Sequence, residues 1–235
     1  MNKEPSVTVL YFTDILCIWA YLAQIRINEL HSTFGNKIEV KEHFVSIFGS
    51  VESKMEQSWQ SKGGIKAYAE HVQTIAQQFS HITIHPDVWI KNSPQTSASA
   101  HVFLKAIQIL ETRNELPLRC ESNEGETLTS ERITWELRKA FFEELIDISN
   151  YKNQLAVAES LHLHLKQIQE IIGSGEAYAA LAKDRTLQNK YNVTGSPSLV
   201  LNNGRQIIYG NVGYRVIEAN IHELINQPDD QASWC

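Results

Sequence analysis

The sequence predicts an α/β fold interrupted by a large all-α insertion, and three observations carry that prediction. The chain opens with a strand–helix–strand pattern, continues from residue 50 to 177 in mainly helical text, and regains strand character only near residue 198. Two outer segments, 1–49 and 178–235, are therefore expected to share one sheet, with 50–177 as an inserted helical domain.

Ser6–Phe12 is short, apolar and β-branched, as a buried strand requires. Thr13-Asp14 breaks it. From Cys17 to about Leu30, Leu22, Ile25 and Leu30 recur at helical spacing among Gln24, Arg26 and Glu29, and Gly35 supplies a stop. Lys37–Lys41 alternates polar and apolar residues and Phe44-Val45 extends it, so a second strand follows, joined by a right-handed parallel crossover. In the insertion the predicted helices are 64–79, 97–112, 128–145, 151–161 and 165–172, with a break over 114–125. After a further helix, Ser198–Leu201 and Gln206–Tyr209 flank Asn203-Gly204, a hairpin signal because both turn positions need positive φ. A final helix is expected from Tyr214 to Ile225.

Among 235 residues, 43% are hydrophobic and 20% charged, ordinary values for a globular protein, and the net charge is −6. That balance argues against nucleic acid as a partner, because phosphate binding needs a surplus of Lys and Arg on one face. No signal-peptide pattern opens the chain and no apolar run approaches about 18 residues, so a cytoplasmic protein without a membrane span is expected. Three cysteines, Cys17, Cys120 and Cys235, are too few for a disulfide framework, and in a reducing compartment they are expected as thiols.

Cys17 stands apart because it falls between a strand and the start of a helix. Unpaired N–H groups and the positive end of the helix dipole favour a thiolate there. A fall in pKa from about 8.5 to about 6.5 corresponds to roughly 2.7 kcal/mol and raises the thiolate share at neutral pH from about 3% to about 75%. Lower basicity slows attack roughly eightfold, leaving a net gain of about threefold, so such a site suits exchange through labile mixed disulfides. The second signal is Thr194-Gly195-Ser196-Pro197-Ser198, where a proline opens a strand without needing its missing N–H.

Taken together, the strand–helix–strand start, the inserted helices and Gly195-Ser196-Pro197 before a hairpin resemble the DsbA-type branch of the thioredoxin superfamily. Its FrnE-like proteins, kappa-class glutathione transferases and hydroxychromene carboxylate isomerases are the nearest in pattern. The FrnE-like opening is Asp-Pro-x-Cys-Pro-Trp-Cys-Tyr, and this chain reads Asp14-Ile15-Leu16-Cys17-Ile18-Trp19-Ala20-Tyr21. Asp14, Cys17, Trp19 and Tyr21 match, whereas both prolines and the second cysteine are lost. The stretch from Trp135 to Asn150 also resembles that family. The resemblance implies a thioredoxin fold, Cys17 as nucleophile, a cis Pro197, a Ser196 backbone that pairs with peptide or glutathione, Trp19 as a groove wall, and Asn211 near the γ-glutamyl end of glutathione. Relatives of the kappa and isomerase classes form dimers, so a homodimer is the candidate assembly.

With Ala20 in the resolving position, Cys17 cannot close a disulfide within its own motif, which leaves a monothiol cycle resolved by glutathione as co-substrate. Cys120 and Cys235 are the candidate substitute thiols. Two alternatives stand beside this one: a glutathione-dependent transferase or isomerase, and a non-catalytic peptide-binding scaffold. No tightly bound cofactor is expected. His81 and His85 would share a helix face only if their segment were helical, which Ile82-Thr83-Ile84 argues against, and the two-residue spacing of His162 and His164 points them apart; with no third ligand evident, no metal is expected.

Overall fold

The structure is a computed structural model and describes residues 6–116, 119–122, 125–227 and 233. In chain order its elements are β1 (Val7–Thr13), α1 (Ile18–Phe34), β2 (Ile38–Phe44), α2 (Val51–Ser58), α3 (Gly64–Ala76), α4 (Ala98–Thr112), β3 (Arg119–Ser122) and β4 (Gly125–Leu128). These are followed by α5 (Thr129–Phe142), α6 (Tyr151–Ser160), α7 (Leu165–Gly173), α8 (Glu176–Lys190), β5 (Ser198–Leu201), β6 (Gln206–Tyr209) and α9 (Tyr214–Asn226). The chain divides into two compact units, one of residues 1–45 and 184–235 and the other of residues 46–183.

The first unit is built on a four-stranded sheet in the order β2-β1-β5-β6. β1 runs parallel to β2, with Val7 opposite Ile38, and β5 lies antiparallel to β1, with Phe12 opposite Ser198. An interior strand is covered on both faces, and β1 accordingly reads as a nearly unbroken apolar run. Its Val9 and Tyr11 join Leu199, Leu201 and Ile208 on one face, against Ile27, Leu30 and Phe34 of α1 and Ile217, Ile221 and Leu224 of α9. Each large apolar side chain removed from water there contributes about 1.5–3 kcal/mol. On the other face Phe12 stacks on His43, with ring centroids 5.2 Å apart. His43 Nδ1 lies 2.7 Å from Asp184 Oδ1, and Asp184 Oδ2 accepts the Phe44 N–H at 2.8 Å. That carboxylate fastens the middle of α8 to the end of β2.

Helix α1 ends at Gly35, whose φ of 51° an L side chain rarely adopts. The β5–β6 hairpin closes through residues 202–205, with Asn203 at φ 56° and Gly204 at φ 95°. Asn202 also turns to positive φ, and its side-chain oxygen accepts the Thr8 N–H at 2.9 Å, tying the loop back to β1.

In the helical unit, α4 is buried on nearly every face from Ala100 to Leu110, which marks it as the central helix. An aromatic cluster of Phe48, Tyr68, Trp89 and Phe141 packs ring to ring. Three elements were not expected from sequence. Helix α2 is a short one whose N-cap Ser50 accepts the Ser53 N–H at 3.2 Å and which buries only Val51 and Met55. Strands β3 and β4 pair antiparallel, Arg119 opposite Leu128, with β3 inside the stretch read as a break and β4 running on from its end. Arg119-Cys120-Glu121-Ser122 shows no apolar alternation, so the pairing has no hydrophobic signature in the chain. Helix α5 also stops before the predicted Leu145, which sits at φ 57°.

Candidate active site

The site lies in the first unit, where β1 gives way to α1. Past the end of β1 the chain makes a tight turn: the Asp14 carbonyl accepts the Cys17 N–H at 3.0 Å, and Asp14 Oδ1 accepts the Leu16 N–H at 2.9 Å. A short acceptor side chain at the head of a turn is a favoured choice for this reason. The turn delivers Cys17 as the N-cap of α1, with extended backbone (φ −80°, ψ 117°). Its carbonyl accepts the Ala20 and Tyr21 N–H groups at 3.1 and 3.0 Å, so the helix begins at once.

The second wall comes from the segment leading into β5. The Ser196–Pro197 peptide bond is cis. Ser196 Oγ accepts the Asp14 N–H at 2.8 Å, and the Ser196 carbonyl accepts a hydrogen bond from Cys17 Sγ at 3.2 Å. Pro197 O in turn accepts the Gly210 N–H at 2.9 Å, and Ser198 Oγ donates to Gly195 O at 2.9 Å, so both flanks of the segment are held. Cys17 and Ser196, 179 residues apart, thus meet because β1 and β5 are sheet neighbours.

Cys17 is a free thiol, 6% exposed, and here the sequence-based expectation is corrected. Burial pushes its pKa up. The Ser196 side chain and the Ala20 and Trp19 N–H groups favour the thiolate, as the helix N-terminus was expected to, and the nearby Asp14 carboxylate opposes them. Desolvation of the charge is the largest of these effects and decides the sign. Ser196 acts in two senses: its hydroxyl supports the anion, while its carbonyl, by accepting from Sγ, supports the neutral thiol.

Of the other residues singled out from sequence, Trp19 is half-buried on the first turn of α1, and Asn211 is exposed in the turn after β6, following Gly210. Cys235 lies outside the described residues, as does the side chain of Cys120, whose backbone belongs to β3. Behind Pro197 a small cavity is lined by Ala23, Arg26, Leu199, Ile208 and Gly210. Sequence reasoning passed over Tyr209, whose ring lies over Gly195 and is 60% exposed. The hairpin register, which sets Ser198 opposite Tyr209, is the signal that could have found it.

A cysteine at the head of the first helix, facing a cis-proline segment across a central strand pair, defines a thioredoxin-fold protein with a large helical insertion. The DSBA-like thioredoxin domain family matches residues 8–222, and the chain belongs to that family. No curated protein matches it. Among solved structures it is similar to a probable DsbA oxidoreductase from Streptomyces coelicolor, with TM-score 0.70, 13% identity and coverage of 97% of this chain and 93% of the other. It is also similar to the cytosolic disulfide reductase DsbM from Pseudomonas aeruginosa, with TM-score 0.60, 18% identity and coverage of 95% and 94%. That reductase is also known with glutathione bound. A 2-hydroxychromene-2-carboxylate isomerase aligns with TM-score 0.61, 16% identity and coverage of 96% and 100%. At these identities the structures speak to fold. Among the described residues no helix is long and apolar enough to cross a membrane.

Proposed function

We propose that the protein is a thiol–disulfide oxidoreductase that works through Cys17 alone, with glutathione resolving the mixed disulfide. The observation that carries this reading is the placement of Cys17 Sγ at the head of α1, 3.2 Å from the Ser196 carbonyl, with Ala20 where a second cysteine would close the cycle. In the first step Cys17 loses its proton, and the thiolate attacks the glutathionyl sulfur of a mixed disulfide RSSG. The RS–SG bond breaks, a bond from Cys17 to that sulfur forms, and the departing RS⁻ takes up a proton. In the second step the thiolate of a free glutathione attacks the glutathionyl sulfur on Cys17, giving oxidised glutathione and returning the Cys17 thiol. The sum is RSSG plus glutathione giving RSH plus oxidised glutathione.

The Trp19 and Ala20 N–H groups and the Ser196 hydroxyl support the thiolate in both steps, when it attacks and when it leaves. Trp19 walls the groove, the Ser196–Pro197 backbone pairs with the glutathione backbone, and Asn211 takes the γ-glutamyl end. A reducing cytosol, where glutathione is plentiful, is the compartment this cycle needs. The cytosolic description of the Pseudomonas aeruginosa reductase supports it.

A second reading, glutathione-dependent transfer or isomerisation, draws on the raised pKa of Cys17. A neutral thiol that donates a hydrogen bond can hold the thiolate of a bound glutathione without covalent attachment. The two readings separate on a Cys120→Ser/Cys235→Ser background treated with oxidised glutathione and examined by mass spectrometry. A single glutathione adduct on Cys17 supports exchange. Absence of an adduct overturns it, and activity that survives Cys17→Ser then supports the second reading.

A further inference from the structure

We propose that Tyr209 is a specificity residue of this site, an aromatic shelf for an apolar group carried on the sulfur of a glutathione-type ligand. The assignment rests on the glutathione reading of the groove. Three observations place the shelf. A Cβ built on Gly195 would lie 2.5 Å from Tyr209 Oη and 2.8 Å from Cε2, so the ring occupies the space a side chain at 195 would fill. Gly195 is not among the glycines at positive φ, so its backbone tolerates an L residue and its smallness serves the ring. Gly195 is bonded to Ser196, whose carbonyl accepts from Cys17 Sγ at 3.2 Å. The ring therefore packs over the residue directly bonded to the one whose carbonyl meets the reactive sulfur.

Register and exposure add to this. Tyr209 lies opposite Ser198 on β6, on the face opposite to Ile208, which is turned into the core. A large aromatic side chain that is 60% exposed on a strand leaves apolar surface in water, surface that a ligand group can cover. Both flanking residues of glutathione end in carboxylates and offer the ring little. The group on the far side of its sulfur is the one the shelf is placed to receive, and an aromatic or apolar group fits it best.

The test is equilibrium binding of two unreactive thioethers, S-benzylglutathione and S-methylglutathione, by calorimetry. Tyr209→Ala is expected to weaken S-benzylglutathione by about threefold to tenfold, the range of an aromatic pair, and to leave S-methylglutathione within about twofold. Tyr209→Phe is expected to keep the preference. Gly195→Ala, which drives the ring off its seat, is expected to reproduce the selective loss while circular dichroism shows an unchanged fold. Equal effects on both ligands, or none on either, overturn the assignment while leaving the glutathione reading standing. Failure of the unaltered protein to bind either thioether overturns both.

Discussion

Cys17 and Glu111 are two buried acids, one in each unit, each set against the first turn of a helix. Cys17 caps α1, and Glu111, near the end of α4, receives the first turn of α5 through the Ser130 N–H at 3.1 Å and the Ser130 hydroxyl at 2.6 Å. Burial pushes both pKa values up, N–H and hydroxyl groups pull both down, and a neighbouring carboxylate, Asp14 or Glu131, pushes each up again. Similar electrostatic ingredients thus produce two different parts. Glu111 is used up as an acceptor and its job is to close a helix end that would otherwise leave buried donors unpaired. Cys17 makes no side-chain cap of its own helix, and its sulfur faces the carbonyl of Ser196, the residue that follows the glycine under Tyr209. What surrounds a helix terminus, rather than the terminus itself, separates a structural acid from a candidate nucleophile.

The sharpest way to break this comparison is to delete each acid. Cys17→Ala is expected to reduce glutathione-dependent disulfide exchange to the uncatalysed background, measured by coupled oxidation of glutathione, with the urea midpoint nearly unchanged. Glu111→Ala should do the reverse. Leaving the buried Ser130 N–H and hydroxyl without a partner costs about 1–3 kcal/mol, read as a lower urea midpoint, while activity per folded molecule is retained. Should the Glu111 variant lose activity without losing stability, the division between the two acids fails.

Acidity sharpens the comparison further. With burial holding its pKa above the ordinary thiol value, Cys17 rests as the neutral thiol at pH 7. Its alkylation by iodoacetamide is expected to climb about tenfold per pH unit from 7 to 9 without a plateau. A plateau below pH 8 would show that the helix terminus outweighs burial. For stability the sign is the same for both acids, because each folded pKa lies above the unfolded one. The contribution is fully present below the unfolded value and is lost as pH rises through the folded one. Cys17→Ala should therefore remove an alkaline loss of stability, and Glu111→Gln one that begins above the ordinary carboxylate range. The smallest effect is expected from Ser196→Ala, which removes a support of the thiolate and should slow alkylation at pH 7 by about threefold.

Much of the fold was legible because its signals are local. Near-continuous β-branched and apolar residues in β1, the helical spacing after Cys17, and Asn203-Gly204 between two apolar runs each act over a few residues. Strands β3 and β4 were not legible, since paired polar strands are held by backbone bonds that leave no mark on side-chain pattern. At the site, Cys17 and the Ser196–Pro197 pair could be picked out by their places at element boundaries. Tyr209 was within reach through the hairpin register, but its lodging over Gly195 was not, because that depends on how the strand twists toward the residues before β5.

By itself, then, the sequence determined the order of the elements, the interrupted α/β layout and the presence of one cysteine at the head of the first helix with alanine three positions on. Only the tertiary structure decided the state of that cysteine. A helix terminus acts within one turn and can be read along the chain, whereas desolvation depends on every group that folds over the sulfur, including Ser196 from 179 residues away. Packing brought those groups together, and packing reversed the sign.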